Sequence, residues 1–233
     1  TAFGILRKVK EDVITNKVNI KEKPSTSMSM LSTLSSIYDP LGFVAPFILH
    51  GKKILQELCS NNVGWDEPVP QNIQHNWIDF KENVQHLKEV KVRRCFIRSN
   101  VKKIKHCSLH HFSDASESGY GVVTYIRIVD EENIINCNLV IAKSRVAPLK
   151  FVSVPRLELT AATLAVKVAT QMKHELGINI NEEMFWTDSS VVLGYIKNDK
   201  KRFKTFVANR VHQIRSNTDI IQYFEGSWYA SQE

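Results

Sequence analysis

Three carboxylates carry the chemistry that the sequence suggests: Asp114, Glu158 and Asp188. Asp114 ends an extended run that starts at Cys107 and passes through Phe112-Ser113. Glu158 falls in the first turn of a long helix opened by Pro155. Asp188 closes the short apolar run Met184–Thr187. In mixed sheets, strand ends beside helix starts are where sites are built. Three acids gathered there repel one another unless a cation lies between them. Oxygen-only ligands suit Mg²⁺ or Mn²⁺, and no soft ligand set for zinc accompanies them. Such ions, paired about 3.5–4 Å apart, activate water and stabilise the leaving oxygen in phosphodiester hydrolysis. Each acid alone also has an ordinary structural job. Asp at a strand end caps a turn or helix, and Glu in a first turn complements the helix dipole.

The elements that must position these groups follow from periodicity. Cys107–His111, Gly119–Val129 and Ile134–Ser144 read as three consecutive antiparallel strands, with a polar turn over Asp130–Asn133. A helix runs from Pro155 through Glu175 and stops at Gly177. The strand Met184–Thr187 follows, then a helix Ser189–Lys197 capped by Ser189 or Asp188. A helix Lys204–Arg215 and a strand Ile220–Phe224 complete the order β-β-β-α-β-α-α-β, which implies helices packed on a mixed sheet. The preceding segment is mainly helical. Tyr38-Asp39-Pro40-Leu41-Gly42 forms a sharp break, Phe47–Leu58 has helical spacing, and so does Ile73–Leu87.

The 233 residues include 43% apolar and 24% charged residues, the composition of a soluble globular chain. The longest apolar run, Leu41–Leu49, is broken by Gly42 and Pro46 and is too short to span a bilayer, so no membrane partner is expected. The chain opens on Thr1 rather than Met, as a piece of a longer protein would. Cys59, Cys95, Cys107 and Cys137 form no CxxC pair, which points to a reducing intracellular setting. His106, Cys107, His110 and His111 cluster, but strand alternation sends neighbours to opposite faces and argues against zinc. Residues 1–105 carry a net charge of +7 and residues 106–233 a net charge of zero. Much of the excess lies between Lys91 and Lys105, as a solvated face or as a surface for a polyanion.

Several blocks carry a family resemblance. They are Phe112-Ser113-Asp114-Ala115-Ser116, Ala142 to Lys150, Val154-Pro155-Arg156-Leu157-Glu158-Leu159, Trp186-Thr187-Asp188-Ser189 and Thr205 to Val211. In that order they resemble the ribonuclease H region of BEL/Pao retrotransposon polyproteins. Leu34 to Gly42 and Trp65-Asp66 look like the segment after the polymerase palm of the same polyproteins. The resemblance implies an α/β, ribonuclease H-like mixed sheet with flanking helices over residues 106–233. A mainly helical thumb or connection segment would precede it over 1–105. It also implies that Asp114, Glu158 and Asp188 are catalytic and metal-binding, with Mg²⁺ or Mn²⁺ as cofactor. The expected reaction is cleavage of the RNA strand of an RNA–DNA hybrid, beside an upstream polymerase palm, in cytoplasmic particles of the element.

Ser116, Lys143, Arg145, Lys150, Lys201 and Arg202 are candidates for nucleic-acid contact, though each also reads as a solvated group. Ser189 suits a helix cap, and Trp186 suits the core. The family pattern continues past the last strand into an Asn-Pro-Ala-Asp stretch that carries a fourth carboxylate. Trp228 to Glu233 matches only the approach to that stretch, so the domain is expected to be truncated before its last carboxylate. Asp219 lies before the final strand, and a terminal Glu233 is costly to order. A catalytically impaired nucleic-acid-binding remnant is therefore the alternative reading. An aspartic peptidase is rejected, because neither Asp114-Ala115-Ser116 nor Asp188-Ser189-Ser190 forms the Asp-Thr/Ser-Gly turn it needs.

Overall fold

The structure is a computed structural model, and it describes residues 5–17, 23–97, 103–218 and 223–225. The chain divides into two compact units, Thr1–Cys95 and Phe96–Glu233.

In the first unit, strands β1 (Ile5–Lys8) and β2 (Val13–Asn16) form an antiparallel hairpin. The two-residue strand β3 (Val92–Arg93) returns to pair with β2. Helix α1 (Ser27–Ser36) is capped by Thr26, whose side chain accepts from Ser29 N. The break at Tyr38–Gly42 is built on Asp39: its two carboxylate oxygens accept from Phe43 N and Val44 N, each at 2.9 Å. Gly42 holds a φ of 74°, a conformation that glycine adopts without steric cost. Helix α2 (Ala45–Ser60) then starts with Pro46 in its first turn. Helix α3 (Gln71–Val84) continues into a 3-10 turn over Gln85–Glu89. Met30, Leu34, Ile54, Leu58, Ile73, Trp77 and Phe80 form the core of this unit. A Cβ at Gly51 would lie 2.4 Å from Leu34 and 2.7 Å from Phe80, so only glycine lets these packed groups approach.

The second unit follows the expected element order. Strands β4 (Ile104–Ser116), β5 (Gly119–Asp130) and β6 (Ile135–Val146) are antiparallel neighbours. At their turn, Asp130 Oδ1 accepts from Glu132 N and Ile134 N, and Asn133 takes a φ of 62°. Helix α4 (Val154–Glu175) has Pro155 in its first turn and is followed by Gly177 at φ 59°. Strand β7 (Glu182–Thr187) runs parallel to β4. Helices α5 (Ser190–Lys197) and α6 (Thr205–Arg215) come next, then β8 (Tyr223–Glu225), parallel to β7. The sheet order is β6-β5-β4-β7-β8. Residues 219–222, where the last strand was expected to begin, lie outside the described residues.

Alternation decides what each strand gives to the core. Cys107 and Leu109 of β4 and Phe185 of β7 pack with Leu159, Ala162 and Ala165 of α4. The boundary between units falls at Cys95/Phe96, whereas residue 105 lies within β4. Asn138 Nδ2 donates to Phe96 O at 2.8 Å, tying this entry segment to β6. Among the described residues, no helix is long and apolar enough to cross a membrane, and none of the four cysteines is in a disulfide.

Candidate functional site

The parallel ladder between β4 and β7 runs from Ser108↔Glu182 to Phe112↔Trp186. Asp114 and Asp188 each lie two residues beyond the last pair of that ladder, Asp114 within β4 and Asp188 directly after β7. Both side chains are exposed. Asp114 Oδ1 accepts from Ala115 N at 2.6 Å. Glu158 lies on α4 past its first turn, not within it as the sequence suggests, because the helix starts at Val154, ahead of Pro155. Its Oε2 accepts from Ser189 Oγ at 2.6 Å, so it is tied to the residue directly after Asp188. Ser189 Oγ in turn accepts from Val192 N at 3.2 Å, which caps α5 as the sequence suggests.

These oxygen donors have the chemistry of a hard divalent-cation site. Asp114 lies two residues inside the end of β4, which continues to Ser116 into the β4–β5 hairpin rather than stopping at Asp114 as the sequence suggests, and Asp188 directly follows β7. As the side chains are placed, no three His, Cys, Asp or Glu groups among the described residues close on one point. Glu158 is turned toward Ser189. The structure thus brings the three to one strand end without drawing them into a ligating trio.

The histidine cluster is used structurally. Trp186 Nε1, which can only donate, bonds His110 Nδ1 at 3.2 Å, which leaves His110 Nε2 to donate to Ser108 Oγ at 3.0 Å. Burial, then the charges of Arg127 and His111, lowers the His110 pKa and favours this neutral ring. Trp186 stacks between His110 and Phe112, with ring centroids 6.1 and 5.9 Å away. On the core face, His111 Nδ1 meets Thr124 Oγ1 at 2.8 Å and its Nε2 lies 3.4 Å from Glu183 Oε1. Lys173 Nζ of α4 lies 2.6 Å from Glu183 Oε2. The Lys173 contact is an ion pair, and the His111 contact is one when the imidazole is protonated. Burial pushes the Glu183 carboxyl up, but His111 and Lys173 outweigh that and hold it below its ordinary value. The buried hydroxyl of Tyr223 is pushed up by burial and then by the charge of Glu183. A glutamate in a strand ordinarily faces water, so nothing in the sequence marked this network.

The nucleic-acid candidates are spread around this unit. Ser116 Oγ bonds Ser118 Oγ and Gly119 O in the β4–β5 turn. Lys143 Nζ donates to Gln171 Oε1 at 3.0 Å. Lys150, Lys201 and Arg202 are exposed, and Lys201 N bonds Asn198 Oδ1. Arg145 lines a cleft of about 310 Å³ together with Tyr120, Thr160, Lys167, Asn209 and Arg210. Arg210 was not foreseen as part of it. Its guanidinium lies 3.5 Å from the centroid of the Phe206 ring and donates to Thr160 Oγ1, and its helical i, i+4 relation to Phe206 was the available signal. In the basic run Lys91–Lys105, Lys91 pairs with Glu11, Arg94 with Asp12 and Lys103 with Glu131. Residues 98–102 of that run lie outside the described residues, as do Asp219 and 226–233, where the approach to a fourth carboxylate was expected.

Three antiparallel strands, a long helix and two further parallel strands on the other flank of the first strand define a ribonuclease H-like fold. The family model described as a Pao retrotransposon-like RNaseH-like domain matches residues 26–189. The chain belongs to that family, and the matched span contains Asp114, Glu158 and Asp188. Among solved structures, the chain is similar to the foamy viral protease-reverse transcriptase dRH in complex with ds DNA. The identity is 13%, over 94% of this chain and 37% of that chain, with a TM-score of 0.49. It is also similar to RNase H1 from the halophilic archaeon Halobacterium salinarum NRC-1, at 11% identity over 50% of this chain and 79% of that chain, TM-score 0.31. LC11-RNase H1 in complex with an RNA/DNA hybrid is 13% identical over 50% of this chain and 80% of that chain, TM-score 0.32. Likenesses at this level say nothing of activity. No curated protein matches the chain.

Proposed function

We propose that this ribonuclease H-like domain hydrolyses the RNA strand of RNA–DNA hybrids as part of a retrotransposon reverse transcriptase polyprotein. The observation that carries this reading is the parallel pairing of β4 with β7, whose last pair Phe112↔Trp186 precedes Asp114 and Asp188 by two residues each, with Glu158 bonded to Ser189. Asp114, Glu158 and Asp188 would hold Mg²⁺ or Mn²⁺, which when bound lowers the pKa of water and neutralises charge on the phosphate. The chain's own groups do the positioning. The ladder fixes β4 beside β7 up to two residues before each aspartate. Ser189 orients Glu158 while holding the start of α5. Arg145, Lys150, Lys201 and Arg202 supply positive charge to a polyanionic substrate. Thr1–Cys95 acts as a thumb or connection that helps hold the duplex beside an upstream palm. The setting is the cytoplasmic particle of the element.

The test is a hybrid with one strand labelled at a time, incubated with Mg²⁺ or Mn²⁺ and the polyprotein product that carries this chain. Cleavage confined to the RNA strand is expected, with a loss of at least about 10²-fold in Asp188→Asn, the scale on which removing a group that stabilises developing charge acts. An Asp188→Asn protein that cuts as fast as its parent would sink the assignment. Salt-sensitive hybrid binding without any cleavage would favour the impaired, nucleic-acid-binding alternative.

A further inference from the structure

Between β6 and α4 the chain makes a short loop, residues 147–153, with fixed ends and an apolar tip. At one end Ala147 is buried and its N–H donates to Ser118 O at 3.1 Å. At the other, Ser153 O accepts from Arg156 N at 2.9 Å and Leu157 N at 3.1 Å, which anchors the loop to the start of α4. Between the anchors, Leu149 is 61% exposed, and Phe151, at 85%, is more exposed than any other large apolar side chain among the described residues. A lone exposed apolar residue is ordinary. Here two flank an exposed lysine, Lys150, on one tethered loop.

The surroundings indicate the partner. From Asn133 to Leu157 there is no Asp or Glu, whereas Lys143, Arg145, Lys150 and Arg156 all fall in that stretch. Such a charge favours a polyanion over a neutral or basic protein surface. The loop also leaves the sheet at the carboxylate end. Ser144 of β6 pairs with Gly121 of β5, and Gly121 pairs with Asp114 of β4. The edge strand β6 is therefore two strand spacings, about 10 Å, from β4. The loop and Asp114 thus lie toward the same end of the sheet.

We infer that the Leu149–Phe151 tip is a nucleic-acid contact. Lys150 meets a backbone phosphate, and Phe151, with Leu149 beside it, lies against sugars and base edges in the wide, shallow minor groove of an A-like hybrid. This rests on the hybrid reading of the neighbouring carboxylates. It adds a contact that does not depend on charge to a surface otherwise read as electrostatic. It also assigns Phe151 a role in duplex recognition rather than in the chemistry.

The two kinds of contact separate in a salt titration. Hybrid binding is followed by fluorescence anisotropy without divalent cation, from about 50 to 300 mM salt, for the parent polyprotein product and for Phe151→Ala, Phe151→Tyr and Lys150→Ala. Phe151→Ala is expected to weaken binding roughly tenfold at every salt concentration with an unchanged slope, and Phe151→Tyr to restore it. Lys150→Ala is expected to reduce the slope by about 1. The melting curve of Phe151→Ala should overlay that of the parent, because the side chain is solvent-exposed. If the parent binds hybrid and Phe151→Ala binds equally well, the tip contact is overturned while the hybrid reading stands, and a protein partner becomes the better explanation. If the parent binds no hybrid, both fall together.

Discussion

In the first unit, Asp39 gives both carboxylate oxygens to the backbone N–H groups of Phe43 and Val44. Asp12 is bonded by Arg7 and Arg94, and Glu67 accepts from Gly64 N. In the second unit, Asp114 near the end of β4 and Asp188 directly after β7 are exposed, with Asp114 bonded to its neighbour Ala115. An ionised carboxylate has about four lone-pair sites, so an acid engaged at one oxygen keeps acceptor capacity for a cation. An acid whose two oxygens each hold a backbone group is a structural clasp. Glu183 shows that position in the second unit does not itself make an acid available, since it is buried between His111 and Lys173. The comparison sorts carboxylates by their engagement, and sequence spacing alone does not.

Substitution at matched acids should break that comparison where it is weakest. Asp114→Asn is expected to abolish hybrid cleavage, with a loss of at least about 10²-fold and little change in melting temperature. Asp39→Asn should leave cleavage by the folded protein within a few-fold of the parent. Equal losses in the two variants would dissolve the distinction. Glu183→Gln comes next, with an expected loss of about 1–3 kcal/mol for the second unit at neutral pH, read from urea unfolding. Its folded pKa lies below the ordinary value of 4.5. Its stabilisation is therefore fully present above about pH 4.5 and is lost as pH falls through the lower folded value. The gap between parent and variant should accordingly close toward acid, and a gap constant down to pH 2 would contradict the linkage.

Ser189→Ala should cost about 1 kcal/mol as a lost cap and slow cleavage several-fold, because Glu158 loses its hydrogen-bonded anchor. A cost in stability with no change in rate would reduce Ser189 to a cap. The smallest effect is expected at Asp12→Asn. Its pairs with Arg94 and Arg7 are exposed, and salt screens them. The parent and this variant should melt together in high salt.

Much of the second unit was legible because strands of period two and helices of period 3.6 alternate there without ambiguity. The polar turn before Asn133, Pro155 and Gly177 marked the boundaries through their own backbone preferences. Strand β3 was not legible: two residues carry no periodicity, and Val92–Arg93 becomes a strand only by pairing with β2 across most of the first unit. Asp114 and Asp188 stood out by their place near strand ends, whereas the parallel ladder that sets β4 beside β7 needed the fold. Ser189 was legible as a cap, since that bond is local. Its second bond, to Glu158, joins residues 31 apart in sequence and needed the fold. The Glu183–His111–Lys173 network was hidden for the same reason, as was Arg210 stacked on Phe206 in the cleft with Arg145.

The central claim is that Asp114, Glu158 and Asp188 share a divalent cation while Asp39 does not. Mn²⁺ binding followed by electron paramagnetic resonance tests it without requiring turnover. The parent should take up Mn²⁺, Asp188→Asn should bind it at least about tenfold more weakly, and Asp39→Asn should match the parent. Equal Mn²⁺ affinity in Asp188→Asn and the parent would contradict the account.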